Sequence, residues 1–323
     1  MAGRMPRSVV IAGASSGMGL ATALAFARQG ATLFLAARRA DALEEAARAC
    51  EAAGSPRAVP VVADVTDAAA LRALADRAAA EAGGIDVWVN MAGLGAVGRF
   101  EDIPVEVQAR LIEVNLVGAL NGCHAVLPHM LRRGAGVVVN MGSIGARIAQ
   151  PFASAYTASK FGLRGLTDSL RAEMLVRSRI QVCGVYPQFV DTPAPHHAAN
   201  YTGRALRPAP PVLSPDYVAA RIVELVRRPR RALHLGSAHA MVPLFALAPD
   251  LAGRLFGRAV QRALFETGAP APDTDGAIMA PVPEGRGTSI GWGGAQRRQA
   301  EGLMLGLLGA AALGGLILAR RRW

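Results

Sequence analysis

Tyr156 and Lys160 are the two side chains in this sequence with the clearest capacity for proton chemistry. They are four positions apart in a segment of helix-forming residues, 153–175, so both project from one face of a predicted helix. A free tyrosine has a pKa of about 10, and a nearby cation lowers that pKa by favouring the phenolate. The pair could therefore give and take a proton at neutral pH.

Lys160 is the only lysine in the chain, since 34 of the 35 basic residues are arginine. Ammonium and guanidinium groups are interchangeable for solubility, but an ammonium is the more compact donor. The retention of one lysine supports a specific chemical role at position 160.

A glycine-rich turn is the second chemical feature, and it runs from Ala12 to Gly19 with glycines at positions 13, 17 and 19. Glycines allow a tight turn and the close approach of a pyrophosphate, and a helix N-terminus supplies free N–H groups and a positive dipole end. Such a turn can also be a simple connection. Its position between a predicted strand and a predicted helix favours phosphate binding.

The elements that would position these residues alternate between apolar runs and alanine-rich segments. The runs are continuous, as expected for parallel strands buried on both faces. The alternation predicts a doubly wound α/β sheet with helices on both faces. The predicted strands are Val9–Ala12, Thr32–Ala36, Ala58–Ala63, Val87–Val89, Gly136–Met141, Ile180–Tyr186 and Ala232–Leu235, and the predicted helices are Leu20–Arg28, Asp41–Ala53, Ala68–Ala82, Val105–Arg132, Ala153–Leu175 and Pro215–Arg227.

Six motifs in order resemble those of the short-chain dehydrogenase/reductase family over roughly residues 7 to 236. They are the turn Gly13-x-x-x-Gly17-x-Gly19, Asp64-Val65, Asn90-Met91-Ala92-Gly93, Asn115, Ser143 with Tyr156-x-x-x-Lys160, and Pro187 through Thr192. The resemblance implies a Rossmann-like fold and an enzyme that interconverts a carbonyl and an alcohol by hydride transfer. A nucleotide-binding scaffold without turnover is the alternative, and the presence of all four catalytic residue types argues against it.

The resemblance also implies roles for individual residues. Tyr156 is expected to be the general acid/base, with Lys160 lowering its pKa and bonding the nicotinamide ribose. Ser143 is expected to hold the substrate oxygen, and Asn115 to order a water in a proton relay. The expected cofactor contacts are Gly13, Ser15, Ser16, Gly17, Met18, Gly19, Arg38, Asp64, Val65, Asn90, Ala92, Gly93, Tyr156, Lys160, Pro187 and Thr192.

Two residues depart from the family pattern. Met91 replaces the second Asn of the usual N-N-A-G, and Gln188 replaces the Gly of the usual P-G. We expect the first change to matter little, because the backbone and the following Ala92-Gly93 would do the packing. The second concerns the loop over the nicotinamide.

Arg38 favours NADP(H) as the cofactor, with NAD(H) as the alternative. Ala37 stands where NAD-dependent relatives tend to place an Asp, and Arg38 follows it. A carboxylate there would repel a 2′-phosphate, whereas a guanidinium can bind the phosphate with two hydrogen bonds. Arg38 and Arg39 could instead be solvated residues at a helix start.

Composition and charge indicate a folded protein with a distinct C-terminal part. The chain is 52% hydrophobic and 18% charged, which excludes a disordered polymer. Residues 1–200 carry 19 basic and 16 acidic groups, and residues 201–323 carry 16 and 8. Three cysteines make no disulfide framework and fit a reducing compartment. The histidines, His196 and His197 among them, show no metal-ligand spacing, so we expect no metal.

Four regions are expected: a catalytic domain over residues 1–236, an amphipathic helical extension over 237–266, a Gly/Pro-rich linker over 267–301 and a hydrophobic tail over 302–323. The tail holds 18 uncharged residues, 302–319, just long enough to span a bilayer. It could instead lie at the interface, or be a buried or dimer-interface helix. We favour membrane association, because residues 251–264 carry a stripe of arginines suited to an anionic surface.

The sequence also carries features that bear on cellular location, substrate and binding partners. No secretory signal is evident, so a cytoplasmic protein is expected, membrane-associated through its tail. The Pro-rich, apolar segment 189–213 would form the lid and hints at a lipophilic substrate. The arginines of residues 227–231 are interpreted as a solvated helix end rather than a nucleic-acid site. A homo-oligomer is expected.

Overall fold

Seven parallel strands form the central sheet of the computed structural model, which describes residues 5–208 and 211–292. The order across the sheet is β3-β2-β1-β4-β6-β7-β9. These strands are β1 Ser8–Ala12, β2 Thr32–Ala37, β3 Ala58–Val62, β4 Val87–Asn90, β6 Val137–Met141, β7 Gln181–Pro187 and β9 Ala232–Leu235; β5 Ala96–Gly98 and β8 Ala199–Tyr201 pair with each other in a separate two-stranded sheet.

Helices cover both faces of the sheet, because its strands are apolar on both sides. Along β1, Val9 and Ile11 enter one core cluster and Val10 and Ala12 the other. The helices are α1 Gly17–Ala27, α2 Ala40–Ala52, α3 Ala68–Ala82, α4 Val105–Ile112, α5 Gly118–Arg133, α6 Ser154–Arg177, α7 Ala194–His197, α8 Pro215–Arg227, α9 Val242–Leu247 and α10 Pro249–Gln261. Helices α1, α2 and α8 pack on the first face, and α3, α5 and α6 on the second. The predicted doubly wound α/β class is confirmed.

The strand order reverses between β1 and β4. From β1 the chain winds outward to β2 and β3, and from β4 it winds the other way to β6, β7 and β9. In open α/β sheets, ligands bind in the crevice at the carboxyl ends of the strands on either side of such a switch point. The glycine-rich turn after β1 and residues 91–93 after β4 meet at this crevice.

The long helix expected over Val105–Arg132 is divided in two by a π-helix, Glu113–Val117. A π-helix adds a residue to one turn and shows no signature in the hydrophobic pattern. Helices α4 and α5 therefore flank a local bulge that contains Asn115.

The C-terminal extension begins after β9 with a 3₁₀ turn, Ser237–Met241, and continues through α9, α10 and a π-turn, Arg262–Glu266. The rings of Phe245 and Phe256 meet edge to face, with centroids 5.6 Å apart, and join the two helices. Leu244, Leu247 and Leu251 are exposed.

Residues 267–292 lack helices and strands, as the Gly/Pro-rich composition predicts for a linker, but they pack onto the catalytic domain. Thr274 exchanges backbone hydrogen bonds with Asn200 on β8, and Ile278 is fully buried. We call residues 274–290 the C-terminal strap. The hydrophobic segment 302–323 lies outside the described residues.

Candidate active site

The glycine-rich turn packs closely against the backbone that follows β4. A methyl group added at Gly13 would lie 2.5 Å from the backbone nitrogen of Ala92, and one at Gly19 only 1.8 Å from the carbonyl oxygen of Gly13. Gly13 also has a φ of +100°, which disfavours side chains. These positions require glycine because strand, turn and helix approach without room for a Cβ.

Helix α1 presents its first turn to the crevice. Ser16 is the N-cap and makes no side-chain capping bond, so its side chain does not occupy the first-turn N–H groups, which are the donors that bind anions at helix N-termini. Thr192, on the loop after β7, lies against the turn: its Cβ is 3.4 Å from where a Cβ on Gly17 would be. Ser15, Ser16 and Met18 are partly exposed at this turn.

Ser143 and Tyr156 meet beyond the end of β6. The Oγ atom of Ser143 accepts a hydrogen bond from the Gly145 amide at 3.1 Å, which leaves the hydroxyl proton available to another acceptor. The Tyr156 ring lies over Gly145, with Cε1 3.1 Å from that residue's Cβ position. Burial raises the pKa of Tyr156, and a hydrogen bond with Ser143 acts in the opposite direction.

Lys160 lies one helical turn beyond Tyr156 and is 4% exposed. Its Nζ atom donates to the carbonyl oxygen of Met141 at 3.1 Å and lies 5.7 Å from the centroid of the Tyr156 ring. Burial lowers the pKa of Lys160 to about 8. A methyl group at Gly93 would be 3.1 Å from Nζ, so Gly93 leaves the ammonium its space.

Asn115 is fully buried in the π-helix and connects three elements. Its side chain donates to the Leu94 carbonyl oxygen at 2.9 Å and to Ser159 Oγ at 3.0 Å, and it accepts from the Leu94 amide at 2.8 Å. Its amide group is therefore engaged with the loop after β4 and with α6. The bulge gives this side chain the reach to fix the loop.

Asn90 and Asp64 hold neighbouring chain segments together. Asn90 accepts from Trp88 Nε1 at 2.7 Å and donates to Asn140 Oδ1 at 2.8 Å, in a network buried under the α5 face. Asp64 accepts from Thr66 and pairs with Arg110 at 2.7 Å. Although burial alone would raise the pKa of Asp64, these hydrogen bonds and arginines lower it.

Three further predicted contacts are backbone or packing positions around the crevice. Ala92 donates its amide to the Ala12 carbonyl oxygen at 2.7 Å. Val65 packs against the start of α5, where a methyl on Gly118 would lie 2.6 Å from Val65 Cγ2. Pro187 ends β7.

The two departures from the family pattern have structural explanations. The Met91 side chain is buried in the core cluster on the α1 face. Gln188 is 6% exposed and bonds at both ends, donating to Pro211 and accepting from the Ala238 amide at 3.0 Å. It fills the space beside Gly236 and fixes the base of the lid to the end of β9.

Arg38 and Arg39 follow β2 at the outer end of the crevice, and both bond the C-terminal strap. Arg38 donates to the Ala277 carbonyl oxygen, and Nη1 of Arg39 donates to those of Val282 at 2.9 Å and Pro283 at 3.0 Å. Burial lowers the pKa of Arg38, and Asp64 opposes this.

The strap contacts and the aromatic contacts on the opposite side of the site could not be predicted from the sequence. Phe152, just before α6, adopts a positive φ of 63° and meets the ring of Phe265 at 5.1 Å. Phe265 also lies 5.0 Å from the Arg99 guanidinium. The composition of residues 262–292 has no pattern that predicts which residues of the catalytic domain they contact.

Within residues 5–208 and 211–292, no cluster of three or more His, Cys, Asp or Glu side chains could hold a metal ion. His196 is exposed, whereas Nε2 of His197 lies 3.1 Å from the Glu284 carbonyl oxygen of the strap. The three cysteines are buried and unbridged, and burial raises the pKa of Cys50 to about 12.

Comparisons with known proteins agree with this geometry. The family model for short chain dehydrogenase matches residues 7–200. The chain is 31% identical over 317 residues to the uncharacterized oxidoreductase YxnA of Bacillus subtilis (strain 168), covering 96% of this chain and 88% of that protein. It is 38% identical over 192 residues to 2-(R)-hydroxypropyl-CoM dehydrogenase of Xanthobacter autotrophicus, covering 58% of this chain and 76% of that one. An alcohol dehydrogenase from the archaeon Thermococcus sibiricus, solved with 5-hydroxy-NADP, superimposes with a TM-score of 0.60 at 29% identity, covering 71% of this chain and 95% of that chain.

Proposed function

This chain belongs to the short-chain dehydrogenase family, and we propose that it is an NADP(H)-dependent oxidoreductase that interconverts a carbonyl and an alcohol on a lipophilic small molecule. The observation that carries the proposal is the convergence of Ser143, Tyr156 and Lys160 at the carboxyl end of β6. Asn115 and Gly93 complete the surroundings of the ammonium.

The crevice residues fit a nicotinamide dinucleotide. Gly13 and Gly19 form a turn in which a Cβ has no room, and the first turn of α1 lacks a side-chain cap. Backbone N–H groups at such a helix start bind a pyrophosphate. When bound, the nicotinamide supplies or accepts the hydride.

In the reducing direction, this chain's own residues manage the charge that develops on the substrate oxygen. Ser143 Oγ already accepts from Gly145, so its hydroxyl donates to that oxygen. Tyr156 transfers its phenolic proton to the same oxygen, and the nearby cation of Lys160 stabilises the phenolate that remains. In the oxidising direction the proton returns to Tyr156. Asn115 holds the loop after β4 in place through its side chain. We propose that Asn115 also orders a water molecule in a relay that carries the proton towards solvent.

The choice of NADP(H) rests on Arg38 and on the absence of a carboxylate at Ala37. A guanidinium at the end of β2 is a two-pronged partner for a 2′-phosphate. The neighbouring archaeal dehydrogenase was solved with an NADP derivative, which supports the same choice.

Apolar side chains around the substrate side support a lipophilic substrate. Phe152 and Phe265 pack together beside the start of α6, and Phe189 at the base of the lid is 47% exposed. The name of the Xanthobacter relative specifies a secondary alcohol as its substrate, and a secondary alcohol is the group that we propose this chain oxidises. We therefore expect hydrophobic ketones or secondary alcohols as substrates.

We further propose that the enzyme acts at the cytoplasmic surface of a membrane. Leu247 on α9 is 86% exposed, and Leu251 and Leu255 on α10 are 56% and 57% exposed, with Arg254 and Arg258 exposed on α10 as well. Exposed leucines beside arginines suit an interface that contains anionic lipid.

One helical stretch in the described part of the chain is long and apolar enough to cross a bilayer. It is Val105–Arg133, and 56% of its most apolar window is buried. It supplies α5 to the core and thus has a structural role. The membrane proposal therefore depends on the α9–α10 surface and on the sequence of the tail.

A homo-oligomer is also proposed. Val117, Leu120 and Phe161 on neighbouring helices are 40–45% exposed. Apolar side chains exposed on adjacent helices suit contact with a second copy.

The function is tested with purified protein, NADPH or NADH and a panel of hydrophobic ketones. We expect turnover with NADPH, and we expect Tyr156→Phe to lower it by about 10²–10⁴-fold while leaving NADPH affinity unchanged.

Arg38→Ala should weaken NADPH binding by about 10–100-fold, because a charge-assisted contact is lost, and leave NADH binding unaffected. Arg48→Ala, exposed on α2, is the control.

A strong preference for NADH would overturn the cofactor assignment. Turnover that survives Tyr156→Phe would instead favour a nucleotide-binding scaffold. Both outcomes leave the fold and the family unaffected.

A further inference from the structure

The C-terminal strap crosses the mouth of the crevice from one side to the other. On the lid side, Ala277 donates to the His197 carbonyl oxygen at 2.9 Å, and Ser289 Oγ donates to Asp191 at 2.6 Å. On the nucleotide side, Arg286 pairs with Asp41 and Glu45 of α2. The strap thus joins two surfaces between which a cofactor would enter.

The strap also engages two donors that the proposed function assigns to phosphate groups, Gly17 and Arg38, together with the neighbouring Arg39. The amide of Gly17, at the start of α1, donates to the Gly287 carbonyl oxygen at 2.8 Å. Arg39 is bonded to the carbonyl oxygens of Val282 and Pro283, and Arg38 to that of Ala277. An amide has one proton to donate, so Gly17 cannot hold Gly287 and a phosphate oxygen equally well.

The two parts of the strap are attached differently. Residues 274–278 are anchored: Ile278 is fully buried, Ala277 is 5% exposed, and Tyr201 bonds Asp275. Residues 279–290 contain no buried side chain. They are held by backbone contacts, by the hydrogen bond from Ser289 to Asp191 and by ion pairs of Arg286, and exposed ion pairs each contribute only about 0–1 kcal/mol.

We propose that residues 279–290 are an internal competitor for the cofactor's phosphate groups. They close the crevice in the cofactor-free protein, and NADP(H) binds by displacing them while residues 274–278 stay anchored. The inference rests on the proposed function, because it takes Gly17 and Arg38 as phosphate-binding groups. Arg38 keeps further N–H donors beyond the one that bonds Ala277.

Gly287→Ala is the variant that tests this, because it strains the closed strap without changing charge. Gly287 has a φ of +74°, and no atom of the described residues lies within 4 Å of its Cβ position. Gly30→Ala is the matched control: Gly30 has a φ of +75° and equally open space, in the turn between α1 and β2. Both changes add one methyl group to a left-handed backbone position.

The first measurement is NADPH binding to the full-length protein by calorimetry and stopped-flow fluorescence. We expect Gly287→Ala to lower the Kd about fivefold or more through faster association, whereas Gly30→Ala leaves it unchanged. The same shift is expected for 2′,5′-ADP, which carries the phosphates and no nicotinamide. A Kd that is unchanged, or raised, by Gly287→Ala overturns the proposal.

The second measurement is hydrogen exchange of the strap amides, which needs no turnover. Saturating NADP⁺ should speed exchange in residues 279–290 and leave residues 274–278 unaffected. Slower exchange in residues 279–290 would mean that the strap clamps bound cofactor, contrary to the proposal.

Arg38→Ala separates this inference from the function on which it rests. If Arg38→Ala weakens NADPH binding and Gly287→Ala has no effect, only the competitor role fails. If Arg38→Ala leaves the Kd unchanged, or NADPH does not bind, the assignment of the phosphate site fails and the competitor role fails with it.

Discussion

Lys160 combines two properties that rarely occur together, a buried position and a cationic role. Burial lowers its pKa to about 8, so near neutral pH the ammonium is close to losing its charge. Its hydrogen bond to Met141 supplies one of the three acceptors that an ammonium can use. Under the proposed function, the ribose hydroxyls and the Tyr156 phenolate are the further acceptors of this ammonium.

The affinity for NADPH should therefore depend on pH through Lys160. A bound polyanion raises the pKa of a neighbouring ammonium, so binding takes up a proton wherever the free protein has lost it. We expect a constant Kd below about pH 7 and a Kd that rises as the pH passes about 8. Calorimetric titrations between pH 6.5 and 9.5 measure this.

Lys160→Arg should remove that inflection, because an arginine keeps its charge throughout this range. It should also lower turnover about 10²-fold or more, since the space between Gly93 and Met141 fits a compact ammonium. Thermal denaturation is measured to check that the variant is folded. Wild-type and variant Kd curves of the same shape would exclude Lys160 as the titrating group.

At the residue scale, motif order was enough to predict that Ser143, Tyr156 and Lys160 come together. Ser143 follows a strand of recognisable type, and Tyr156 and Lys160 lie one turn apart in α6. Side-chain direction was harder to predict. Asn90 lies in the expected motif, but its amide points under the sheet because Trp88 and Asn140 supply buried hydrogen-bond partners there. Successive residues of a strand point to opposite faces of the sheet, and a motif alone does not say which of its side chains point towards the crevice.

At the scale of elements, the network of Asn90, Trp88 and Asn140 requires a close approach of α5 to the sheet. Gly122 permits it: a methyl group there would lie 2.1 Å from Asn90 Oδ1 and 2.8 Å from Trp88 Nε1. The network continues from Asn140 to Thr167 on α6 at 3.0 Å. One glycine thus allows polar side chains to connect β4, β6 and α6.

Gly122→Ala should lower the free energy of unfolding by about 2–4 kcal/mol, through overpacking and the loss of a buried hydrogen bond. Gly165→Ala is the matched control, because Gly165 is an exposed position within α6 and, in the part of the chain that the structure describes, no atom lies within 4 Å of its Cβ position. That change should raise stability by about 0.4–1 kcal/mol. Urea denaturation measures both, and equal effects would contradict this account of Gly122.

The sheet strands and most of the helices that pack on them could be predicted from the sequence with bounds within one to three residues. Helices α3 and α8 and strand β9 have the expected bounds, because a proline, an aspartate cap or a glycine marks their ends. The π-helix and the three-residue strands β5 and β8 could not be predicted. They depend on tertiary pairing and are too short for a periodic pattern.

At the scale of the whole molecule, the C-terminal extension contacts several regions of the catalytic domain. The π-turn after α10 contacts Phe152 through Phe265, and the strap reaches α2 and the lid. The Gly/Pro-rich composition of residues 267–292 predicted a linker because it carries no periodicity. Contacts made mainly by backbone carbonyl groups leave no trace in residue type.

The α9–α10 surface should bind vesicles that contain anionic lipid. Leu247→Glu with Leu251→Glu should weaken binding to phosphatidylglycerol vesicles about tenfold or more, because two apolar side chains leave the interface. Leu175→Glu with Val176→Glu is the control, since those residues are 60% and 88% exposed on α6. Vesicle co-sedimentation is measured for the full chain and for a version ending at Gly294.

Retention of both versions in the supernatant with anionic vesicles would contradict membrane association. Binding by the full chain alone would assign the membrane contact to the tail rather than to α9–α10.

Lys160 is the one basic residue of this chain that is not an arginine, and its amine makes the protein well suited to amine labelling. Lys160 is its single side-chain amine, and a pKa of about 8 leaves a substantial fraction nucleophilic near neutral pH. An acylating reagent therefore has one side-chain target, which lies where the cofactor ribose would rest. After brief acylation and proteolysis, the mass of the peptide that contains Lys160 would then report whether that site was occupied, separately from any label on the α-amino group of the N-terminus.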